Sequence, residues 1–306
     1  MKKGFRILSL DGGGSKGVYT LGVLKELEKM LGGKLYEHFD LVYGTSTGSI
    51  IAANICLGVS IEDIQKKYLN LIPKIMNGLT SLDKSQNLKR ETEKEFGNKL
   101  FSEFLTNIGI VSMNYDNQRP LIFKNDVRQA HGMKGTFESG FGCTISDAVQ
   151  ASCAAFPLFE VKKVITKNQG AINAIDGGFV ANNPTLFALI DAHKAIGTLE
   201  DDIKLVSIGV GKFIEKSFNW KYTLLRKFRM AQFAERVLTA NSTTNDLLVT
   251  LLYPKLNSVR INDSFNEPEY GTNMVEVNID KLNKLSQLGR LSFSKYEKDL
   301  RKLLME

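Results

Sequence analysis

With 306 residues, 43% hydrophobic and 24% charged, the chain has the composition of a globular protein and the length for one large α/β domain or two small ones. Its net charge of +7 and pI near 9.1 suit an anionic partner (a phospholipid surface, a nucleotide or nucleic acid) or simply a basic soluble protein. No run of about 18 apolar residues occurs, which excludes a spanning helix on length, and Phe5 to Leu10, interrupted by Arg6 and ended by Asp11, is too short for a signal-peptide core.

Phe5 to Leu10 reads as a buried strand, broken by Asp11-Gly12-Gly13-Gly14-Ser15-Lys16-Gly17 before an amphipathic helix from about Val18 to Leu31. Gly32-Gly33 stops that helix, and a second strand, Phe39 to Tyr43, delivers Gly44-Thr45-Ser46-Thr47-Gly48 to the helical stretch Ser49 to Leu57. Two consecutive βα units with a right-handed crossover place both loops at one sheet edge. Ser60 and Asp63 have capping-box spacing for a helix to Leu71, Pro73 to Lys89 reads as loop, and residues 91–108 carry apolar side chains at helical spacing. That last helix is expected to pack on the body of the protein, with a lipid-facing lid as the alternative. Arg119 to Asn125 reads as a strand and 126–143 as a glycine-rich loop. Ile145 to Ala155, small and apolar nearly all round, reads as a buried helix ended by Pro157. Phe159 to Ile165 and Ala171 to Ile175 form a hairpin that finishes in Asp176-Gly177-Gly178, and Pro184 suits the first turn of a helix from Thr185 to about Ile196. Ile203 to Val210 is a further strand. Beyond Gly211, residues 216–236 hold Lys216, Lys221, Arg226, Lys227, Arg229 and Arg236 against Glu235 alone, with Leu224, Phe228, Ala231 and Leu238 on one helical face. This suits an anionic bilayer surface or a solvated face above a core contact equally. Strands around Val259 and Val275 and helices near 280–304 complete the chain. The three cysteines, Cys56, Cys143 and Cys153, read as reduced, small core residues of a cytoplasmic protein.

Ser46 is the candidate nucleophile: a serine on a sharp strand-to-helix turn needs tiny neighbours, here Gly44 and Gly48, and its hydroxyl then stands at a helix N-terminus. The glycine loop admits three readings. As a dinucleotide fingerprint it lacks the acidic residue at the end of the next strand, and as a P-loop it has Ser15 where glycine should precede Lys16. As an oxyanion hole, Gly13 and Gly14 expose backbone N–H groups that side chains would otherwise cover. Asp176, at a strand end before two glycines, is a candidate general base or merely a turn residue. The histidines are three, His38, His131 and His193, and none is well placed for a triad, so a Ser-Asp dyad is the better reading.

The motifs Asp11-Gly-Gly-Gly-Ser-Lys-Gly17, Gly44-Thr-Ser-Thr-Gly48 and Asp176-Gly-Gly178, in that order, with the 147–155 helix and Asn182-Asn183-Pro184, resemble the patatin-like phospholipase family. The resemblance implies a three-layer α/β/α sandwich with a mostly parallel sheet over a core at 1–211, and the remainder, 212–306, reads as a helical C-terminal extension packed on that core. It implies a serine lipid acyl hydrolase without metal or cofactor. Ser46 is then the nucleophile, Asp176 the base, Gly12 to Gly14 the oxyanion donors, and Gly17, Gly44, Gly48, Gly177 and Gly178 the motif support. Lys16 departs from the family's arginine, keeping charge and losing the planar fork. The implied substrate is phospholipid or another lipid ester, met peripherally at the inner membrane surface, and no nucleic acid duplex is implied. Several bacterial members resemble antiviral effectors switched on by a nucleotide second messenger, and Lys221, Arg226, Lys227 and Arg229 are the expected anion-holding surface. The alternative function is a catalytically silent membrane- or nucleotide-binding module.

Overall fold

Alternating side chains along short apolar strands give the central sheet two buried faces, and helices cover both. The computed structural model describes residues 4–213 and 226–306, with the side chains of 226–232 outside the described set. In chain order, β1 (Phe5–Leu10), α1 (Gly17–Leu31), β2 (Leu41–Thr45), α2 (Thr47–Cys56), α3 (Ile61–Met76) and α4 (Ser81–Phe96) precede β3 (Asn107–Asn114) and β4 (Arg119–Lys124). Then come α5 (Ile145–Ser152), β5 (Lys162–Thr166), β6 (Gly170–Asp176), α6 (Gly178–Ala181), α7 (Thr185–Ile190), β7 (Ile203–Ile208) and β8 (Lys212–Phe213). α8 (Arg226–Leu252), β9 (Asn257–Ile261), β10 (Ser264–Phe265) and α9 (Ile279–Met305) close the chain. Leu8, Leu10 and Val42 point into a core shared with α1 to α5 and α9, while Ile7, Leu41 and Tyr43 meet Ala181, Leu189 and Val249 of α6, α7 and α8. This is the expected three-layer arrangement.

The sheet runs β5-β6-β3-β2-β1-β7-β9, with β4 also on β3. The pairs β3-β2, β2-β1, β1-β7 and β7-β9 are parallel, while β4 and β6 run antiparallel to β3. β4 lies along one edge of β3, from Gly109 to Asn114. The other edge is divided: β2 pairs with it up to Thr45 opposite Val111, and β6 takes over with Asp176 opposite Ser112. The ends of β2 and β6 therefore meet head to head on consecutive residues of β3.

Residues 91–108 do not form one helix. α4 begins at Ser81, inside the stretch read as loop, because Thr80 and Asp83 cap it reciprocally. It ends where Gly97 turns to φ 58°. Phe96, Phe101 and Phe104 are all buried, but a turn and not a continuous helix brings them to the same core, so helical spacing was imitated by a chain reversal. α3 likewise runs through Pro73, where burial of Ile72 and Ile75 offsets the lost backbone bond. Val275 lies in an Asx-type turn, its N–H bound to Asn273 Oδ1 at 2.9 Å, and forms no strand.

The residues after Gly211 supply β9 at the sheet edge and α9 against α1. A Cβ on Gly22 would sit 2.1 Å from the Ser286 carbonyl, and one on Gly289 2.1 Å from that of Tyr19, so the two helices approach through glycines. Of the basic segment, Lys221 lies outside the described residues, and Arg226, Lys227 and Arg229 are described only as backbone of α8. Leu238 is buried beside Gly178. Cys56, Cys143 and Cys153 are buried free thiols.

Candidate active site

Ser46 occupies the turn between β2 and α2 with φ 52° and ψ −123°, a conformation that side chains rarely adopt. Its backbone is held from both sides. The N–H donates to Ser152 Oγ at 2.8 Å, whose own hydroxyl donates to the Val111 carbonyl at 2.5 Å. The Ser46 carbonyl accepts from Ser49 N at 2.8 Å and Ser49 Oγ at 2.6 Å. Tight packing closes the turn: a Cβ on Gly48 would lie 2.3 Å from the Leu10 carbonyl, and Gly44 faces Gly48 directly.

Ser46 Oγ donates to Asp176 Oδ2 at 2.7 Å across 130 residues of sequence. Asp176 Oδ1 accepts the Gly178 N–H at 2.7 Å, and Gly177 packs its Cα against the Val111 carbonyl. Burial pushes the Asp176 carboxyl up from 3.8 to about 6, against the lowering effect of these two hydrogen bonds. No histidine joins them among the described residues. His131 Nε2 meets Asp191 at 2.6 Å, His193 Nδ1 meets the Thr198 carbonyl at 3.0 Å, and His38 Nε2 meets the Gly32 carbonyl at 2.5 Å.

The glycine loop follows β1, beside β2, and Gly12 lies against the Ser46 side chain. Of the three expected donors, Gly12 is excluded, because its N–H donates to the Asn182 carbonyl at 3.0 Å. The carbonyls of Gly12 and Gly13 are tied back by Asn182 Nδ2 at 3.2 Å and by the Lys16 N–H at 3.2 Å. Their peptide partners, the N–H groups of Gly13 and Gly14, make no hydrogen bond among the described residues and remain as the candidate donors. Gly14, at φ 57°, has its carbonyl held by Thr47 Oγ1 at 2.9 Å and Tyr68 Oη at 2.7 Å. Gly17 opens α1 in contact with Thr47 and Tyr68.

Three features carry no sequence signal. Asp11, buried, receives a two-pronged ion pair from Arg260 at 2.7 and 2.6 Å and a hydrogen bond from Ser242 at 2.6 Å. Lys16, to which the sequence assigned no bond, pairs with Glu235 at 2.8 Å. Ser152 braces the Ser46 turn. Each partner is more than 100 residues away, beyond what local patterning encodes.

Two cavities flank the loop. An apolar slot lined by Ile50, Leu71, Ile72, Ile75, Leu88 and Phe159 has Ser46 and Met274 in its wall. A polar cleft of about 730 Å³ is bounded by Asp11 and Lys16 on one side and by α8 and residues 271–276 on the other. Ser46 lines the slot and not the cleft.

Comparison with known proteins agrees with this arrangement. The "cUMP-AMP-activated phospholipase" of Escherichia coli is 45% identical over 300 residues, covering 98% of this chain and 94% of that protein. A "cGAMP-activated phospholipase" of Pseudomonas aeruginosa is 27% identical over 220 residues, 67% of this chain and 62% of that protein. Among solved structures, VipD from Legionella pneumophila superposes with a TM-score of 0.50 at 13% identity, over 98% of this chain and 67% of that one, and shares the fold. Residues 8–189 match the family described as Patatin-like phospholipase, and with the E. coli similarity running along nearly the whole chain, this protein belongs to the patatin-like phospholipase family.

Proposed function

We propose that this phospholipase cleaves membrane lipid esters through a Ser46-Asp176 dyad, at the inner membrane surface and under the control of a cyclic nucleotide in anti-phage defence. The observation that carries the dyad is the 2.7 Å bond from Ser46 Oγ to a buried carboxylate with no cation beside it among the described residues. Asp176 takes the Ser46 proton as Oγ attacks the ester carbonyl, and the developing oxyanion faces the N–H groups of Gly13 and Gly14. Each such donor is worth about 3 kcal/mol in comparable sites. Asp176 then protonates the leaving alcohol, and water, deprotonated by the same carboxylate, releases the fatty acid from Ser46.

The apolar slot suits an acyl chain beside the nucleophile. Leu79, Leu82 and Phe156, all strongly exposed, follow closely in sequence on Met76 and Ala155 of the slot lining, and Ser81 and Ser85 of α4 bond Glu160. These exposed side chains support peripheral contact with a bilayer. Activation by a nucleotide rests on the similarity to the E. coli protein, whose name states its activator.

Mass-spectrometric analysis of products from native phospholipid vesicles tests the reading. Wild type with cUMP-AMP is expected to release lysolipid and free fatty acid, and Ser46→Ala to release neither. Equal release of lysolipid and fatty acid by the two proteins would reject the dyad, and release by neither would leave a catalytically silent module.

A further inference from the structure

We propose that the polar cleft behind the glycine loop is the binding site for a cyclic dinucleotide, and that its occupancy resets the loop carrying the candidate oxyanion donors. The proposal rests on the hydrolase reading above and adds to it where the activator sits and how it reaches the chemistry.

The cleft's volume, about 730 Å³, falls within the range of roughly 300–1,000 Å³ that small-molecule sites occupy. Its lining also has the chemistry of a nucleotide site. Lys212 lines the cleft, and its Nζ, among the described residues, bonds only the Thr243 hydroxyl, at 3.2 Å. Lys16 lies deeper, and Phe213 offers a ring for a base to stack on. Asn262 and Asn273 also line the cleft, and each has its Oδ1 occupied by a backbone N–H, of Gly211 at 3.0 Å and of Val275 at 2.9 Å. The two Nδ2 groups make no bond among the described residues and can donate to base edges or phosphodiester oxygens. A lipid headgroup shares the phosphodiester but has no base for these amides and this ring.

Coupling to the glycine loop is built from contacts already present. Lys16 Nζ, two residues beyond Gly14, is held by Glu235 of α8 at 2.8 Å. A phosphodiester entering the cleft competes with Glu235 for that ammonium and takes over its charge balance. The opposite wall touches the loop as well: the Met274 carbonyl accepts the Ser15 N–H at 2.9 Å, and a Cβ on Gly14 would lie 2.2 Å from that carbonyl. Met274 borders both the cleft and the apolar slot. A ligand that shifts α8 or the 271–276 turn therefore moves the loop that carries the candidate donors Gly13 and Gly14.

The test is calorimetric titration of cUMP-AMP into the full-length protein, in parallel with nucleotide-dependent vesicle hydrolysis. Lys212→Glu and Phe213→Ala are each expected to raise Kd at least about tenfold and to raise the concentration for half-maximal stimulation in proportion, with unchanged thermal midpoints showing that both fold. Glu235→Gln, which removes the competitor for Lys16, is expected to tighten binding and to raise hydrolysis without nucleotide. Unaltered Kd in the first two variants, or unaltered Kd and unstimulated rate in Glu235→Gln, overturns the proposal. So does a wild type that hydrolyses vesicles but gives no heat with cUMP-AMP, an outcome that leaves the hydrolase reading standing. Binding of glycerophosphoglycerol in place of the nucleotide would assign the cleft to lipid headgroups and overturn the proposal too. Nucleotide binding that weakens in the variants while wild type hydrolyses no lipid supports the cleft and defeats the hydrolase reading instead.

Discussion

Asp176 sits where burial and function pull in the same direction. Its carboxyl, pushed up to about 6 by desolvation, holds the proton more strongly than an exposed carboxylate and is a correspondingly better base toward a serine hydroxyl. In the proposed dyad the ionised form accepts the Ser46 proton, so kcat/KM is expected to rise with pH through a limb near 6, and a profile flat from pH 5 to 8 would speak against this base. Stability follows the opposite course. Between the unfolded value near 3.8 and the folded value of about 6, the native state keeps a proton that the unfolded chain has lost, so native stability falls as pH rises through that window. Asp176→Asn removes this penalty. The variant is expected to be stabilised by on the order of 2 kcal/mol at pH 8, with the gain shrinking between pH 6 and 4, as read by calorimetric melting at each pH. The same substitution is expected to lower kcat by about three orders of magnitude or more, since an amide cannot take the proton. Ser46 and Asp176 were both legible as residues, because glycines flank each of them and each ends an apolar run. That they touch was not legible, for 130 positions separate them.

The elements that deliver them are short and braced at their ends. Gly14 shows how: its carbonyl receives two side-chain hydroxyls, one of them from Tyr68 on α3, which the sequence marks only as an apolar helix position. Tyr68→Phe leaves the half-buried carbonyl with the Thr47 hydroxyl and the Gly17 N–H and loosens the peptide units beside it. The expected result is a fall in kcat of about five- to tenfold, the equivalent of one neutral hydrogen bond of about 1 kcal/mol, with KM for a short soluble ester little changed. An unaltered kcat would mean that Thr47 and Met274 suffice to hold the loop. At this scale, strands and helices with clean periodicity were readable, as with β1, α1 and β7. The region from Pro73 to Ile108 was not: a proline inside a helix and a turn that imitates helical spacing both send the local signal the wrong way, and burial of Ile72, Phe96 and Phe101 decides the outcome.

Across the whole molecule, the residues after Gly211 are tied to the site by charge. Arg260 on β9 meets Asp11 at the end of β1, and Asp11 is 2% exposed. Removing one partner strands the other charge in a buried setting, so Arg260→Met is expected to cost about 3–5 kcal/mol of stability by denaturant unfolding. Adding Asp11→Asn to Arg260→Met is expected to recover part of the loss, because no uncompensated carboxylate then remains. Equal destabilisation by the single and double variants would show that the pair acts through packing alone. Truncating the chain near 211 would take away this partner together with the edge strand and the helix that covers α1 through Gly22 and Gly289.

The sequence by itself determined the sharp Ser46 turn, the glycine loop, the Asp-Gly-Gly strand end and the α/β class, since each depends on local steric needs: tiny residues at tight turns and apolar alternation along strands. Tertiary structure alone decided which of these features share a site. One edge of β3 is divided between β2 and β6, so Thr45 and Asp176 stand opposite consecutive residues, and strand pairing over such separations leaves no trace in a local pattern. The same holds for Lys16 with Glu235 and Asp11 with Arg260: charges placed far apart along the chain become partners only when the sheet closes around them.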